Sequence, residues 1–325
     1  MKPTLLLILL AAACLSSCGQ KPSQSASTGN EAKPGKKIVV GFSQIGAESA
    51  WRTAETESIR SEAEKRGIKL NFSDAQQNQQ NQIRALRTFL AQNVDAIILA
   101  PVVETGWEPA LREIKKANIP VILVDRGIKV SDESLYTTLI ASDFVNEGRL
   151  AAEWLGKRLN GKGNVVELQG TPGAAPAIDR KKGFEEGLAK FPEIKIVKSQ
   201  SGDFNRAKGK EVMEAFLKAE GKNINALYAH NDDMALGAIQ AIEEAGLKPG
   251  TDLIIVSIDG VKGAFDAMVA GKLNCTVECN PLLGPAAFDA IEAVLAGKSV
   301  PKKTVVKDEV FDQSIAKDVI ASRKY

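Results

Sequence analysis

Residues 37–73, KIVVGFSQIGAESAWRTAETESIRSEAEKRGIKLNFS, hold one complete strand–helix–strand unit. Residues 37–43 form an apolar, β-branched run of strand length, and 51–66 carry apolar residues at helical spacing. Gly67 stands where a left-handed helix cap wants glycine, and 68–73 begin a second strand. The alternation continues outward. Strands are expected at 96–100, 120–124, 164–168, 194–201, 226–228 and 253–258, with helices at 80–92, 107–117, 147–159, 177–190, 206–219, 234–245 and 283–296. Such alternation implies parallel sheets covered by helices on both faces. The pattern restarts near 136–143, where a strand at 135–140 is followed by Ala141-Ser142-Asp143 instead of an immediate helix. The expected fold is therefore α/β, with two doubly wound parallel-sheet lobes. The roughly 290 residues after position 36 exceed one core of about 100–150 and suit two.

The first 36 residues read differently. Lys2, the apolar run 4–15 and the small residues before Cys18 meet the physical needs of an export signal, and the run is shorter than the roughly 20 residues that span a bilayer. Leu15-Ser16-Ser17-Cys18 resembles the lipobox of bacterial lipoproteins, which implies cleavage before Cys18 and lipid on its thiol and new amino terminus. Residues 19–36, rich in Ser, Gln, Gly, Lys and Pro, cannot bury a core and read as a flexible tether. The protein is thus expected outside the cytoplasm, lipid-anchored.

Charge is balanced, with 42 Lys and Arg against 40 Asp and Glu, and no basic run is longer than Arg180-Lys181-Lys182, the rest being pairs such as Lys36-Lys37, so nucleic acid is not an expected partner. Cys275 and Cys279 lie in a strand-like run where extended chain sets them about 13 Å apart. A disulfide needs Cα atoms about 5.5 Å apart, so two free buried thiols are expected unless the chain bends there. With one histidine, His230, and no second cysteine pair, no metal site is expected. No cofactor motif is present either.

In doubly wound sheets, ligands bind beyond the carboxyl ends of the strands. The residues there are Trp51, Arg52, Asp125, Arg126, Arg180, Phe204, Asn231 and Asp259. Guanidinium and carboxylate groups hold vicinal hydroxyls by paired hydrogen bonds, and flat aromatic rings stack on the C–H face of a sugar. A polyhydroxylated ligand suits this set. Taken singly, each such Asp or Arg also reads as a helix cap or surface ion pair.

From Val40-Gly41-Phe42-Ser43-Gln44 through Val124-Asp125-Arg126, Ile178-Asp179-Arg180 and Tyr228-Ala229-His230-Asn231-Asp232-Asp233 to Ser257-Ile258-Asp259-Gly260, the chain resembles the periplasmic sugar-binding proteins of the ribose/galactose group, and most of all their galactofuranose-binding members. The resemblance covers residues 37–325. It implies the type I periplasmic binding protein fold, with lobes 37–142 plus 280–306 and 143–279 plus 307–325, joined by a three-strand hinge near Ser142, Cys279 and Lys307. It implies a stacking role for Trp51, a hydrogen-bonding head at Arg52, a grip on ring hydroxyls by Asp125 and Arg126, and an opposing half built from Arg180, Phe204, Asn231 and Asp259. Glu48 and Glu278 are supported only by the galactofuranose-like subset, and Asp143 is expected as hinge, ligand contact or both. A cysteine at 279, where ribose binders carry a glutamine, departs from the pattern and leaves the sugar open.

The implied activity is capture of a monosaccharide, with galactofuranose first, and delivery to an ABC permease by a monomeric binding protein. A sensory protein presenting sugar to a chemoreceptor or membrane kinase has the same sequence features. An enzyme reading is weaker. A glycosidase needs two carboxylates about 5.5 or 6.5–9.5 Å apart across one bond, and Asp125 and Asp259 are better explained as acceptors for sugar hydroxyls. His230 has no nucleophile elbow beside it and is expected to pack beside a strand end. A sugar-responsive repressor would carry a helix-turn-helix where this chain has its export signal.

Overall fold

The computed structural model describes residues 37–325. The expected signal, lipidation at Cys18 and tether lie outside the described residues. In chain order the first half runs β1 (Val39–Gln44), α1 (Ala50–Lys65), β2 (Lys69–Asp74), α2 (Gln79–Ala91), β3 (Ala96–Leu99), α3 (Glu108–Lys116), β4 (Val121–Val124) and β5 (Thr138–Ala141). The second runs α4 (Phe144–Arg158), β6 (Lys162–Gln169), α5 (Ala175–Leu188), β7 (Glu193–Ser201), α6 (Arg206–Glu220), β8 (Ala226–Ala229), α7 (Asp232–Glu244), β9 (Ile254–Asp259), α8 (Lys262–Val269) and β10 (Cys275–Glu278). Then follow α9 (Gly284–Leu295), β11 (Lys303–Val305), β12 (Val310–Asp312) and α10 (Gln313–Val319).

Two six-stranded sheets result, ordered β11-β5-β4-β3-β1-β2 and β12-β10-β9-β8-β6-β7. All pairings are parallel except β10 with β12, which is antiparallel. The chain passes from one sheet to the other after β5, returns after β10 and crosses again after β11.

The central strands β3 (Ala-Ile-Ile-Leu) and β4 (Val-Ile-Leu-Val) are buried at every position, as a sheet covered on both faces requires. Side chains alternate between the faces. Ile98 and Ile122 pack with Ile59, Phe288 and Ile291 of α1 and α9 on one side. Ile97, Leu99 and Leu123 pack with Leu86, Phe89 and Leu111 of α2 and α3 on the other. The second sheet has one large core around Val166, Leu168, Leu227, Ile255 and Ile258.

The sequence reading missed four elements: α8, β11, β12 and α10. All are short, at 8, 3, 3 and 7 residues, too brief for periodicity to register.

Candidate ligand-binding site

Short turns after the strands bring polar side chains from both halves to one cavity. It is lined by Glu48, Ser49, Trp51, Arg52, Asp125, Arg126, Pro176, Arg180, Phe204, Asn231, Asp259 and Cys279.

On the first half, Ser49 caps α1 by accepting from the Arg52 N–H at 3.1 Å, which fixes the helix start just beyond β1. Trp51 and Arg52 are thereby set in the first turn. The Arg52 guanidinium is held by three carboxylates: Nε donates to Glu48 Oε1 at 3.1 Å, Nη1 to Glu55 Oε2, and Nη2 to Asp125 Oδ2 at 2.6 Å. It also stands 4.8 Å from the centroid of the Trp51 ring. Arg126 donates from Nη1 to Val102 O at 3.2 Å, while its Nε and Glu48 Oε2 have no hydrogen-bond partner among the described residues. Burial, then the neighbouring Arg52 charge, pushes the Arg126 pKa down to about 10, which still leaves it cationic at neutral pH.

On the second half, α5 lies close enough to α4 that a Cβ on Gly148 would sit 2.2 Å from Arg180 O, so only glycine permits this approach. It lets Arg180 Nε donate to Glu147 Oε2 at 2.7 Å and Nη1 to His230 O at 2.6 Å, with Nη2 3.6 Å from Asp259 Oδ1. Burial pushes the Asp259 pKa well up against the opposing pull of Arg180. Asn231 caps α7 through Met234 N–H and donates from Nδ2 to Phe204 O at 3.2 Å, so it holds the aromatic residue as well as lining the cavity. The Phe204 ring faces the other half, 5.2 Å from the Arg126 guanidinium.

Three of these residues have backbones that ordinary side chains avoid: Asp125 at φ 61°, Phe204 at φ 58° and Asp259 at φ 133°. Strain of this kind persists where surrounding structure imposes it and clusters at ligand sites.

Nine of the residues singled out from sequence, Glu48, Trp51, Arg52, Asp125, Arg126, Arg180, Phe204, Asn231 and Asp259, line the cavity. Two do not. Asp143 is exposed and caps α4 by accepting from Asn146 N–H at 3.0 Å. Glu278 is engaged by Arg323 Nη1 and the Tyr325 hydroxyl, each at 2.8 Å. Ser49, Pro176 and Cys279 join the lining. Cys279 was expected as a buried thiol at a chain crossing and as a departure from the ribose binders, not as a lining residue, and nothing in the local sequence marks Ser49 or Pro176. Cys275 and Cys279, the two cysteines among the described residues, are free and buried. His230 is enclosed, with Nε2 3.1 Å from Glu167 Oε1 and Nδ1 accepting from Gly170 N–H at 3.3 Å.

The lining thus sets three guanidinium groups against three carboxylates, with aromatic surface from both halves. A balanced set suits a neutral ligand rich in hydroxyls, because every charge already has a counter-charge and the remaining hydrogen-bonding capacity is free.

The family description for the periplasmic binding protein domain matches residues 40–299. The galactofuranose-binding protein YtfQ of Escherichia coli (strain K12) is 56% identical over 291 residues, covering 88% of this chain and 92% of that one. Among solved structures, the binding component of the arabinose ABC transporter from Shewanella sp. ANA-3, bound to α- and β-L-arabinofuranose, is 56% identical, with a TM-score of 0.87 and coverage of 88% and 96%. A Mycobacterium smegmatis protein in complex with β-D-fucofuranose is 52% identical, with a TM-score of 0.87 and coverage of 89% and 95%.

Proposed function

The chain belongs to the periplasmic binding protein family, and from that premise we propose that it captures a monosaccharide in its furanose form, galactofuranose first, and delivers it to an ABC permease. The observation that carries this is the cavity itself, with its balanced charges and its Trp51 and Phe204 rings, in a chain more than half identical to proteins described with galactofuranose and with arabinofuranose. The five-membered ring is what those ligands have in common. Delivery to a permease is favoured over sensing because the arabinofuranose relative is a component of an ABC transporter.

In this reading the lobes are 37–142 with 280–306 and 143–279 with 307–325, and they close about the three crossings. Glu48, Asp125 and Arg126 hold the sugar from one side, Arg180, Asn231 and Asp259 from the other. A ligand that contacts both halves favours the closed state, since only that state satisfies both sets at once. The closed form is what the permease receives. Cys18 carries the lipid, the protein works as a monomer at the outer face of the membrane, and Asp143 and Glu278 act outside the sugar contacts.

Calorimetric titration with D-galactose, L-arabinose, D-ribose and a galactofuranose-enriched sample tests the proposal. The expected result is galactose heat that saturates only after several equivalents, because the minor furanose form alone enters, with tight binding of the enriched sample. Full-stoichiometry binding of ribose alone would replace the furanose ligand, and no heat with any of the four would overturn sugar capture.

A further inference from the structure

Behind Arg52, away from the cavity lining, lies Glu55. Its side chain is fully buried, and its Oε2 accepts from both Arg52 Nη1 and Gln44 Nε2, the latter at 3.0 Å. Its Oε1 has no hydrogen-bond partner among the described residues. The groups that face it are Arg52 from its own helix, Gln44 from the end of β1, and Asp125 and Arg126 from the turn after β4, with Glu48, just ahead of the helix, joined through Arg52 Nε. Among these buried side chains two cations, Arg52 and Arg126, stand against three carboxylates, Glu48, Asp125 and Glu55. One carboxylate is in excess. An uncompensated buried charge is costly, and the group that carries it takes a proton most readily. Asp125 has the Arg52 Nη2 contact and Glu48 the Nε contact, and both stand at the cavity. Glu55 is the most deeply buried of the three and lies away from the cavity, and, as with Glu48, one of its oxygens has no donor among the described residues.

We infer that Glu55 is a positioning residue whose ionised carboxylate fixes the Arg52 guanidinium for the ligand, so that protonation of Glu55 weakens binding and ligand capture releases a proton. The inference rests on the sugar-binding reading of the cavity and extends it to a residue that touches no ligand. Burial, opposed in part by Arg52, pushes the Glu55 pKa up to about 7, which puts the change within the neutral range. The sign follows by linkage. If ligand favours the ionised form, affinity is full above that pKa and declines as pH falls through it, and binding near pH 7 drives a proton off.

The test is calorimetric titration with D-galactose and L-arabinose near pH 8 and pH 6, in two buffers of different ionisation enthalpy, for wild type and Glu55→Gln. Wild type should bind about fivefold more weakly at the lower pH and release a fraction of a proton, as linkage with one group near neutrality requires. Glu55→Gln should bind weakly at both values, with the pH step and the proton release gone. An unchanged pH profile in Glu55→Gln, or pH-independent binding in wild type, would overturn the role. If that variant does not fold, Gln44→Met serves. It removes a hydrogen bond to the ionised carboxylate, so the midpoint of the pH step should move upward, and an unmoved midpoint counts against Glu55. A sugar-free readout separates this inference from the ligand assignment. The Trp51 ring beside Arg52 should report a fluorescence transition near neutral pH in wild type but not in Glu55→Gln, whichever sugar binds.

Discussion

Asp233 Oδ2 accepts a hydrogen bond from the backbone N–H of Ala50 at 2.8 Å, although the two residues are 183 positions apart and belong to helices on different sheets. Asp233 lies in the first turn of α7 and is steadied by Arg206, whose Nη2 donates to its Oδ1 at 2.7 Å. Ala50 opens α1, where backbone N–H groups have no partner within the helix and the dipole favours a negative charge. The contact joins the halves without passing through the cavity, as Asp233 is not among its lining residues.

Under the proposed hinge closure, such a contact would stabilise only the closed arrangement and so add to apparent affinity without touching sugar. Asp233→Ala is expected to lower affinity by about 1 kcal/mol, roughly fivefold, the scale of a charge at a helix N-terminus. Calorimetry checks the loss, and small-angle scattering of the sugar-free variant should show a more open molecule. Wild-type affinity would remove Asp233 from closure.

Asp125→Asn keeps a side chain that tolerates the positive φ of this position but removes the charge that Arg52 Nη2 meets at 2.6 Å. Affinity should fall by about 2–3 kcal/mol, since a buried guanidinium loses one of its counter-charges and a sugar hydroxyl loses its strongest acceptor. A change below about 0.5 kcal/mol on that scale would place the sugar elsewhere.

Trp51 both faces the cavity and donates from Nε1 to Cys279 O at 2.5 Å, at a chain crossing. Trp51→Ala should weaken binding by about 2 kcal/mol with an unaltered circular dichroism spectrum, whereas Trp51→Phe should retain stacking and lose less. Equal losses in the two variants would assign the effect to the crossing contact instead of the ring.

Gly170 lies directly beneath Phe204, and a Cβ there would stand 1.9 Å from the ring. Gly170→Ala must therefore displace Phe204. A stability loss of about 1–3 kcal/mol is expected from overpacking, measurable by urea denaturation, together with loss of sugar binding. Full retention of binding would mean that the ring position is not set by this contact.

Burial pushes the His230 pKa below its usual value, and its Nδ1 acceptor role toward Gly170 requires the neutral ring. The unfolded chain binds this proton through about pH 6.5 while the folded chain resists it, so stability falls as pH drops below about 6.5. Glu167 adds to the acid side. Despite its burial, the His230 hydrogen bond brings its pKa down to about 2, a contribution present above its unfolded value and lost as pH falls toward about 2. Carboxyls whose pKa is raised, Glu55 and Asp232 among them, add stability as pH falls, so the histidine is read by difference. In thermal melts from pH 7 to 5, wild type should lose stability relative to His230→Gln, and parallel curves would remove His230 from the pH dependence.

Trp51, Asp125, Asn231 and Asp259 were legible because position along the chain is enough to place them. Each follows or, as Asp259 does, ends a strand, and in a parallel sheet every strand delivers its C-terminal end to the same edge. Asp143 follows a strand too, yet its carboxylate turns back to cap α4. Glu278 ends β10 but is drawn to Arg323 and Tyr325 of the C-terminal segment, partners 45 and 47 residues away. Local order could not reveal that competition.

The fold class, the parallel strands and the chemical character of the cleft were determined by the sequence alone, because periodicity and strand-end chemistry are local properties. The tertiary structure alone decided which charges stand behind that cleft. Glu55 and Glu147 occupy helical positions that in sequence read like any solvated face, and Asp233 like an ordinary first-turn acid. Glu55 stands three positions from Arg52 on α1, Glu147 meets Arg180 only where α4 packs on α5, and Asp233 meets the start of α1 only where the two halves meet. The burial that makes these pairs matter comes from packing, since hydrogen bonds and charges act through space over a few ångströms.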